Sequence, residues 1–163
     1  MKTLFLLRHA KSSWDDANLS DFERPLNPRG LKAAPFMGEL IARHGLQPSI
    51  ILSSPAERAK QTTTLVKEAG KLTAGVEFEH LIYEASPNRL RQVIAELDDA
   101  FHSAMIVGHN PGMEGFIRYL TGSVESMPTA ALAVIDLDIS KWHEINDGCG
   151  TLQKIFRPKD EMS

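Results

Sequence analysis

Cysteine is almost missing from this chain. Cys149 stands alone, so no intrachain disulfide can form and nothing calls for an oxidising compartment. An excess of charge of one sign is missing too. Eighteen Lys and Arg stand against 21 Asp and Glu, a formal net charge of −3, which excludes wholesale binding to nucleic acid or to an anionic membrane. No apolar run approaches the roughly 20 residues of a membrane-spanning helix. The short run after Lys2 stops at Arg8, too early for the core of a signal peptide. These absences together predict a cytoplasmic protein. Internal repeats and low-complexity linkers are lacking as well, and 163 residues of ordinary composition predict one domain over 1–163. Metal-ligand spacing is not found: His44, His80, His102 and His143 are isolated, without a pattern such as His-Glu-x-x-His, and read as surface or core residues.

What the chain does have is regular punctuation. Four dipeptides pair a capping residue with proline: Asn27-Pro28, Ser54-Pro55, Ser86-Pro87 and Asn110-Pro111. Asn and Ser cap helix N-termini, and proline suits the first helical position because its missing N–H is not needed there. They predict helices from Pro28 to Arg43, from Ser54 to Ala69 with Gly70 as C-cap, from Ser86 to Leu97, and from Asn110 to Leu120, stopped by Gly122. Pro35 inside the first predicts a kink or a late start. Ser54 and Glu57 have the spacing of a capping box. Between the helices lie short apolar strands: Thr3 to Leu7, Ser49 to Leu52, Val76 to Glu79 (nearer an edge), Ala104 to Val107, and Ala131 to Leu137. Gly150 to Phe156 pairs with the last through the turn at Asn146-Asp147-Gly148. Alternating strands and helices predict an α/β fold, a three-layer α/β/α sandwich whose mostly parallel sheet has an antiparallel end.

Parallel sheets hold ligands beyond the C-terminal ends of their strands. Three strand ends here deliver similar chemistry. The first ends in Arg8-His9, the second in Ser53-Ser54 followed by Arg58, and the fourth in Gly108-His109. Arginine forks match phosphate oxygens, and helix N-termini favour anions. The set describes a phosphate pocket.

The segments Arg8-His9-Ala10-Lys11-Ser12, Pro25-Leu26-Asn27-Pro28-Arg29-Gly30, Ser53-Ser54-Pro55-Ala56-Glu57-Arg58-Ala59-Lys60-Gln61-Thr62 and Val107-Gly108-His109-Asn110-Pro111-Gly112, in this order, resemble the histidine phosphatase superfamily, the phosphoglycerate-mutase-like fold. The compact size and Arg24-Pro25-Leu26 are most similar to its SixA-type phosphohistidine phosphatases. The resemblance spans Leu4 to about Asp138. It implies that His9 is the nucleophile and forms a covalent phosphohistidine, that Arg8, Arg58 and His109 hold the phosphoryl oxygens, and that no metal or other cofactor takes part. Ala10 departs from the family's Arg-His-Gly, and Asp15 stands where the mutases often carry Asn; a carboxylate there is expected to point away from phosphate.

Some residues keep two readings. Glu84, after the third strand, is a candidate general acid or a plain loop carboxylate. Arg24 either touches phosphate or pairs with Asp21 or Glu23. Trp14 reads as packing, and Met127-Pro128-Thr129-Ala130 as a rim segment acting through its backbone. Cys149 lacks the arginine six residues on that thiol phosphatases need; Ile155 is there. The substrate implied is a phosphohistidine on a protein, since the chain has no room for the helical insertions that roof larger relatives. A small phosphate ester, or phosphoprotein binding without turnover, are the alternatives.

Overall fold

A computed structural model describes residues 1–162. Six strands form one sheet: β1 (Lys2–Arg8), β2 (Ile50–Ser53), β3 (Gly75–Phe78), β4 (Ser103–Gly108), β5 (Leu132–Leu137) and β6 (Gly150–Phe156), in the order β3-β2-β4-β1-β5-β6. The first four in that order run parallel; β5 is antiparallel to β1, and β6 to β5. Side chains alternate across each strand, so the central ones feed two cores. Leu4, Leu6, Leu52 and Ile106 face one, with Phe116, Ile117 and Trp142. Phe5, Leu7, Ile51 and Val107 face the other, with Met37, Leu40 and Val66. Helices α1 (Pro28–Arg43) and α2 (Glu57–Gly70) cover the second face; α3 (Pro87–Ala95) and α4 (Gly112–Thr121) cover the first. A short α5 (Pro158–Glu161) follows β6. The fold is the three-layer α/β sandwich that the pattern predicts, with β3 at an edge. Among the described residues no helix is long and apolar enough to cross a membrane.

Local differences have physical reasons. α1 starts at Pro28, where Asn27 caps it by accepting from the Gly30 N–H at 2.9 Å, and it runs on through Pro35. The carbonyl that Pro35 leaves without its helical partner is that of Leu31, an exposed residue. Ser54 does not cap α2. The helix begins at Glu57 with Ala56 at the N-cap, and the Ser54 hydroxyl is engaged by His109 instead. Gly70 does not cap its end either: it is the last helical residue, and Lys71 takes the left-handed position at φ 52°. Gly70 serves packing, since a Cβ there would lie 2.8 Å from the Gly38 carbonyl of α1. Asn110 stands one residue before the N-cap of α4, which starts at Gly112; its Oδ1 still accepts the first-turn Glu114 N–H at 3.2 Å, while its NH₂ bridges the Glu114 carboxylate and the Met127 carbonyl.

Candidate active site

In the parallel register Arg8 of β1 lies beside Gly108 of β4, and Ser53 of β2 beside Val107. His9, Ser54 and His109 therefore leave three neighbouring strands at one edge of the sheet. The rings of His9 and His109 stand 5.0 Å apart between centroids. Arg58 arrives from the first turn of α2. The candidate nucleophile His9 and three of the candidate phosphate ligands, Arg8, Arg58 and His109, thus come together.

The loops behind them are held by close backbone contact. Ala10 N–H donates to Thr62 Oγ1, and the Asn27 N–H to the Lys11 carbonyl. A Cβ on Gly30 would collide with that carbonyl, and one on Gly112 with the carbonyl of Ala85, so both glycines let a helix start pack against the site. The rim segment acts through its backbone: Met127 O accepts from Arg8 Nη1 at 3.0 Å, and the Ala130 N–H donates to the carbonyls of Arg8 and His9. Ala130 (φ 64°) and Glu84 (φ 56°), both at the site, take the left-handed backbone that costs a non-glycine residue about 1–3 kcal/mol.

The protonation pattern follows from the partners. His9 Nδ1 lies 2.7 Å from the Ala10 carbonyl, which only accepts. Nδ1 therefore carries the proton, and Nε2 keeps its lone pair. Burial above all, with the charges of Arg58, Arg8 and Arg24, pushes His9 down to about 4; the Ala10 bond opposes the shift. Burial likewise, then His9 and Arg58, pushes His109 down to about 3. Both rings are neutral at pH 7. His109 Nε2 lies 2.7 Å from Ser54 Oγ, which already accepts the Ala56 N–H. With the Ser54 proton directed to Nε2, His109 presents Nδ1–H as a donor, the tautomer that a phosphoryl oxygen at Nδ1 selects. Burial also lowers the Arg8 pKa, against the attraction of Glu114, whose carboxylate accepts from the Met127 N–H and the Asn110 amide.

Among the described residues three buried side-chain nitrogens lack a hydrogen-bond partner: Arg8 Nε, Arg58 Nε and His109 Nδ1. All three belong to this site. An unmet buried polar group costs about 1–3 kcal/mol, so a cluster of three is a place prepared for acceptors, such as the oxygens of a phosphoryl group.

Asp21 is the residue that sequence reasoning valued too little. Its carboxylate accepts from Arg24 Nη2 at 2.9 Å, Arg58 Nη2 at 3.0 Å and the Tyr83 hydroxyl at 2.6 Å, and its carbonyl accepts from Arg58 Nη1 at 2.7 Å. The Tyr83 bond, then the arginines, hold its carboxyl well below the usual range. Tyr83, pushed up to about 12 by burial and by Asp21, sets its ring edge-on to His109 at 5.5 Å. Arg24 pairs with Asp21, as one of its two readings has it, while Glu23 bonds Ser20. Arg24 also donates to Ser12 Oγ at 2.7 Å and carries Trp14 stacked at 3.5 Å; Trp14 is otherwise exposed. Asp15 is exposed. Glu84 is exposed and lines a cleft of about 640 Å³ together with Asp21, Arg58 and His109. Among the described residues no group of His, Cys, Asp or Glu forms a metal cluster.

The chain is similar in sequence and fold to known proteins. The family model for the Histidine phosphatase superfamily (branch 1) matches residues 4–86. An uncharacterized chloroplastic protein of Arabidopsis thaliana is 30% identical over 152 residues, 88% of this chain and 70% of that protein. A structure from Agrobacterium tumefaciens bearing the name phosphohistidine phosphatase SixA superposes with a TM-score of 0.83 at 30% identity, over 96% of this chain and 98% of that one. The protein histidine phosphatase SixA in complex with tungstate shares the fold, with a TM-score of 0.84 at 22% identity over 97% and 98% of the two chains. Fold, ordered motifs and matched relatives agree: the chain belongs to branch 1 of the histidine phosphatase superfamily and is a phosphatase of the SixA type.

Proposed function

We propose that this phosphatase removes phosphate from phosphohistidine on a protein, through a covalent phosphohistidine at His9 and without a metal. The observation that carries the reading is the neutral His9 with its Nε2 lone pair free, set beside three buried nitrogens that lack acceptors. Nε2 of His9 attacks phosphorus as the P–N bond to the substrate imidazole breaks, and that imidazole leaves with its electron pair. Water then attacks phosphorus, the P–Nε2 bond breaks, and inorganic phosphate departs with His9 neutral again. Through both steps Arg8, Arg58 and His109 donate to the phosphoryl oxygens and stabilise the charge spread over them. Arg58 spends two of its five N–H donors on Asp21, which leaves Nε–H and one hydrogen on each terminal nitrogen for the anion. Arg24 acts on phosphate at one remove, by holding Asp21 and so the plane of Arg58.

A protein substrate is supported by the exposed rim at Trp14 and Glu84, and by the SixA names of the matched structures. Glu84, poised on the cleft, favours a second reading as a phosphomonoesterase with Glu84 as general acid. The deciding experiment compares a phosphohistidine protein with a panel of phosphate esters, using labelled phosphate, with and without EDTA. Expected are faster turnover of the protein, acid-labile label on His9, no label on His9→Ala, and no effect of EDTA. Label on another residue, or activity lost in EDTA and restored by a divalent metal, would end the proposal; faster ester turnover would move it to the second reading.

A further inference from the structure

Two clefts are lined by residues that adjoin the site. The one that Glu84 lines belongs to the site described above. The other, of about 710 Å³, is absent from the reaction just proposed. Its charged lining residues are all cations: Lys11, Arg29, Lys32 and Lys159, beside Pro128 and Thr129. All four are exposed, in a chain whose net charge is −3. The salt bridges of the described residues use Arg24, Arg58 and Arg157, and none of these four.

Three elements bring these charges together. Lys11 stands two residues beyond His9, so its Cα is at most about 7 Å from that of His9. Its carbonyl holds the start of α1 through Asn27, and α1 carries Arg29 and Lys32. Lys159 comes from α5. Thr129 adjoins Ala130, whose N–H holds the carbonyls of Arg8 and His9. The groove thus shares Lys11 and Thr129 with the two loops that flank the nucleophile.

We propose that this groove docks an acidic stretch on the surface of the phosphorylated protein substrate. The inference rests on the reading that the substrate is a protein. A protein that seats a phosphohistidine on His9 covers roughly 800 Å² of this chain, a patch about 16 Å in radius, and such a patch takes in the groove. A neutral or basic partner would desolvate four cations without pairing them. A partner bearing carboxylates pairs them, is drawn in faster, and is held in one orientation. A small ester on His9 reaches none of this.

The test uses two synthetic peptides of about 15 residues, each with a central histidine phosphorylated by phosphoramidate. One carries four Glu within six residues of that histidine, the other four Gln. The glutamate peptide is expected to show about tenfold higher kcat/KM in low salt, with the difference collapsing toward 0.5 M salt as screening sets in. Lys32→Glu with Lys159→Glu, both at exposed positions, should abolish or invert the preference, and Lys→Arg at the same sites should keep it. The same peptides without phosphate, titrated against the protein by fluorescence anisotropy, read docking independently of turnover. Equal kcat/KM and equal binding for the two peptides, or a preference that survives charge reversal, overturns the docking surface. Preferential binding of the acidic peptide with no turnover of either supports the groove and removes the phosphohistidine reading instead.

Discussion

His9 and His109 end two adjacent parallel strands, are both buried, and are both driven to the neutral form chiefly by burial. They differ in the partner on one ring nitrogen. His9 donates from Nδ1 to a backbone carbonyl, which leaves a lone pair on Nε2; His109 shares a hydrogen bond at Nε2 with the Ser54 hydroxyl, and with a phosphoryl oxygen at Nδ1 to take its proton that ring is the donor. Two similar imidazoles 5.0 Å apart thereby become a nucleophile and a donor. Desolvation sets the charge of each ring, and a single neighbouring group sets its role. Changing the charge around both rings, or the neighbour of one, tests these two parts of the account separately.

The largest effect is expected at Arg58, which acts on both. Its charge helps lower both histidines, and its guanidinium is a donor to the anion. Arg58→Ala should lower kcat/KM by about 10²–10³-fold, the usual loss for one donor aimed at developing charge. Arg58→Lys should recover part of this, because a point charge cannot both hold Asp21 and keep a planar donor on phosphate. Steady-state kinetics of the two variants on a phosphohistidine peptide give the comparison; a fully active lysine variant would reduce Arg58 to a mere charge.

Acid should break the pair next. His9 must be neutral to attack, and its folded-state pKa is about 4 rather than 6.5. Corrected for titration of the substrate, the rate should stay level from pH 8 to about pH 5 and fall about tenfold per unit below pH 4. A limb at pH 6.5 would mean that burial does not hold His9 neutral. The same shifts link to stability. Below pH 6.5 the unfolded chain takes up protons that the folded histidines refuse. Their contribution is therefore complete above that pH and is lost as pH falls toward about 4 for His9 and about 3 for His109. Urea unfolding midpoints should drop across this window, and drop less in His109→Ala.

A smaller loss, about tenfold in kcat, is expected for Ser54→Ala, which leaves both rings in place and removes only the group that selects the His109 tautomer. The reading specific to that role is the ¹⁵N spectrum of His109: the wild type should carry its proton on Nδ1, and the variant should shift toward Nε2–H. An unchanged tautomer in the variant would leave Ser54 without this part.

Much of this was legible beforehand, because strand ends and cap-Pro pairs are local signals. Apolar runs ending in Arg8-His9 and Gly108-His109 locate the site by the rule for parallel sheets, and the motifs around Arg58 name the family. The parts that escaped are those where distance along the chain decides. Ser54 reads as a cap because nothing local reveals that its side chain turns to His109, and Asn110, which does accept a first-turn N–H of α4, gives no local sign that its amide also reaches Met127. Asp21 meets Arg58 across 37 residues and Tyr83 across 62, so its neighbour Arg24 was the one partner within sight. The basic groove joins Lys11 to Lys159, a juxtaposition that a chain of balanced charge does not announce.

The smallest effect should come from Glu84, and its smallness depends on the leaving group. Glu84 faces the cleft beside His109 and lies outside the pairing of the two rings. Breaking a phosphate ester releases an alkoxide, which needs a proton in the transition state, and a positioned acid supplies roughly 10²–10⁴-fold. Breaking a phosphohistidine releases an imidazole, which departs readily, and one already protonated needs no donor. Glu84→Gln should therefore change turnover of a phosphohistidine peptide by less than about twofold, whatever it does to an aryl or alkyl phosphate. Should the ester rate fall by about 10²-fold in the same variant, Glu84 is an acid that a second class of substrate uses. Should the phosphohistidine rate fall as far, Glu84 acts on the phosphoryl group itself, and the division of labour would no longer rest on the two histidines and their arginines alone.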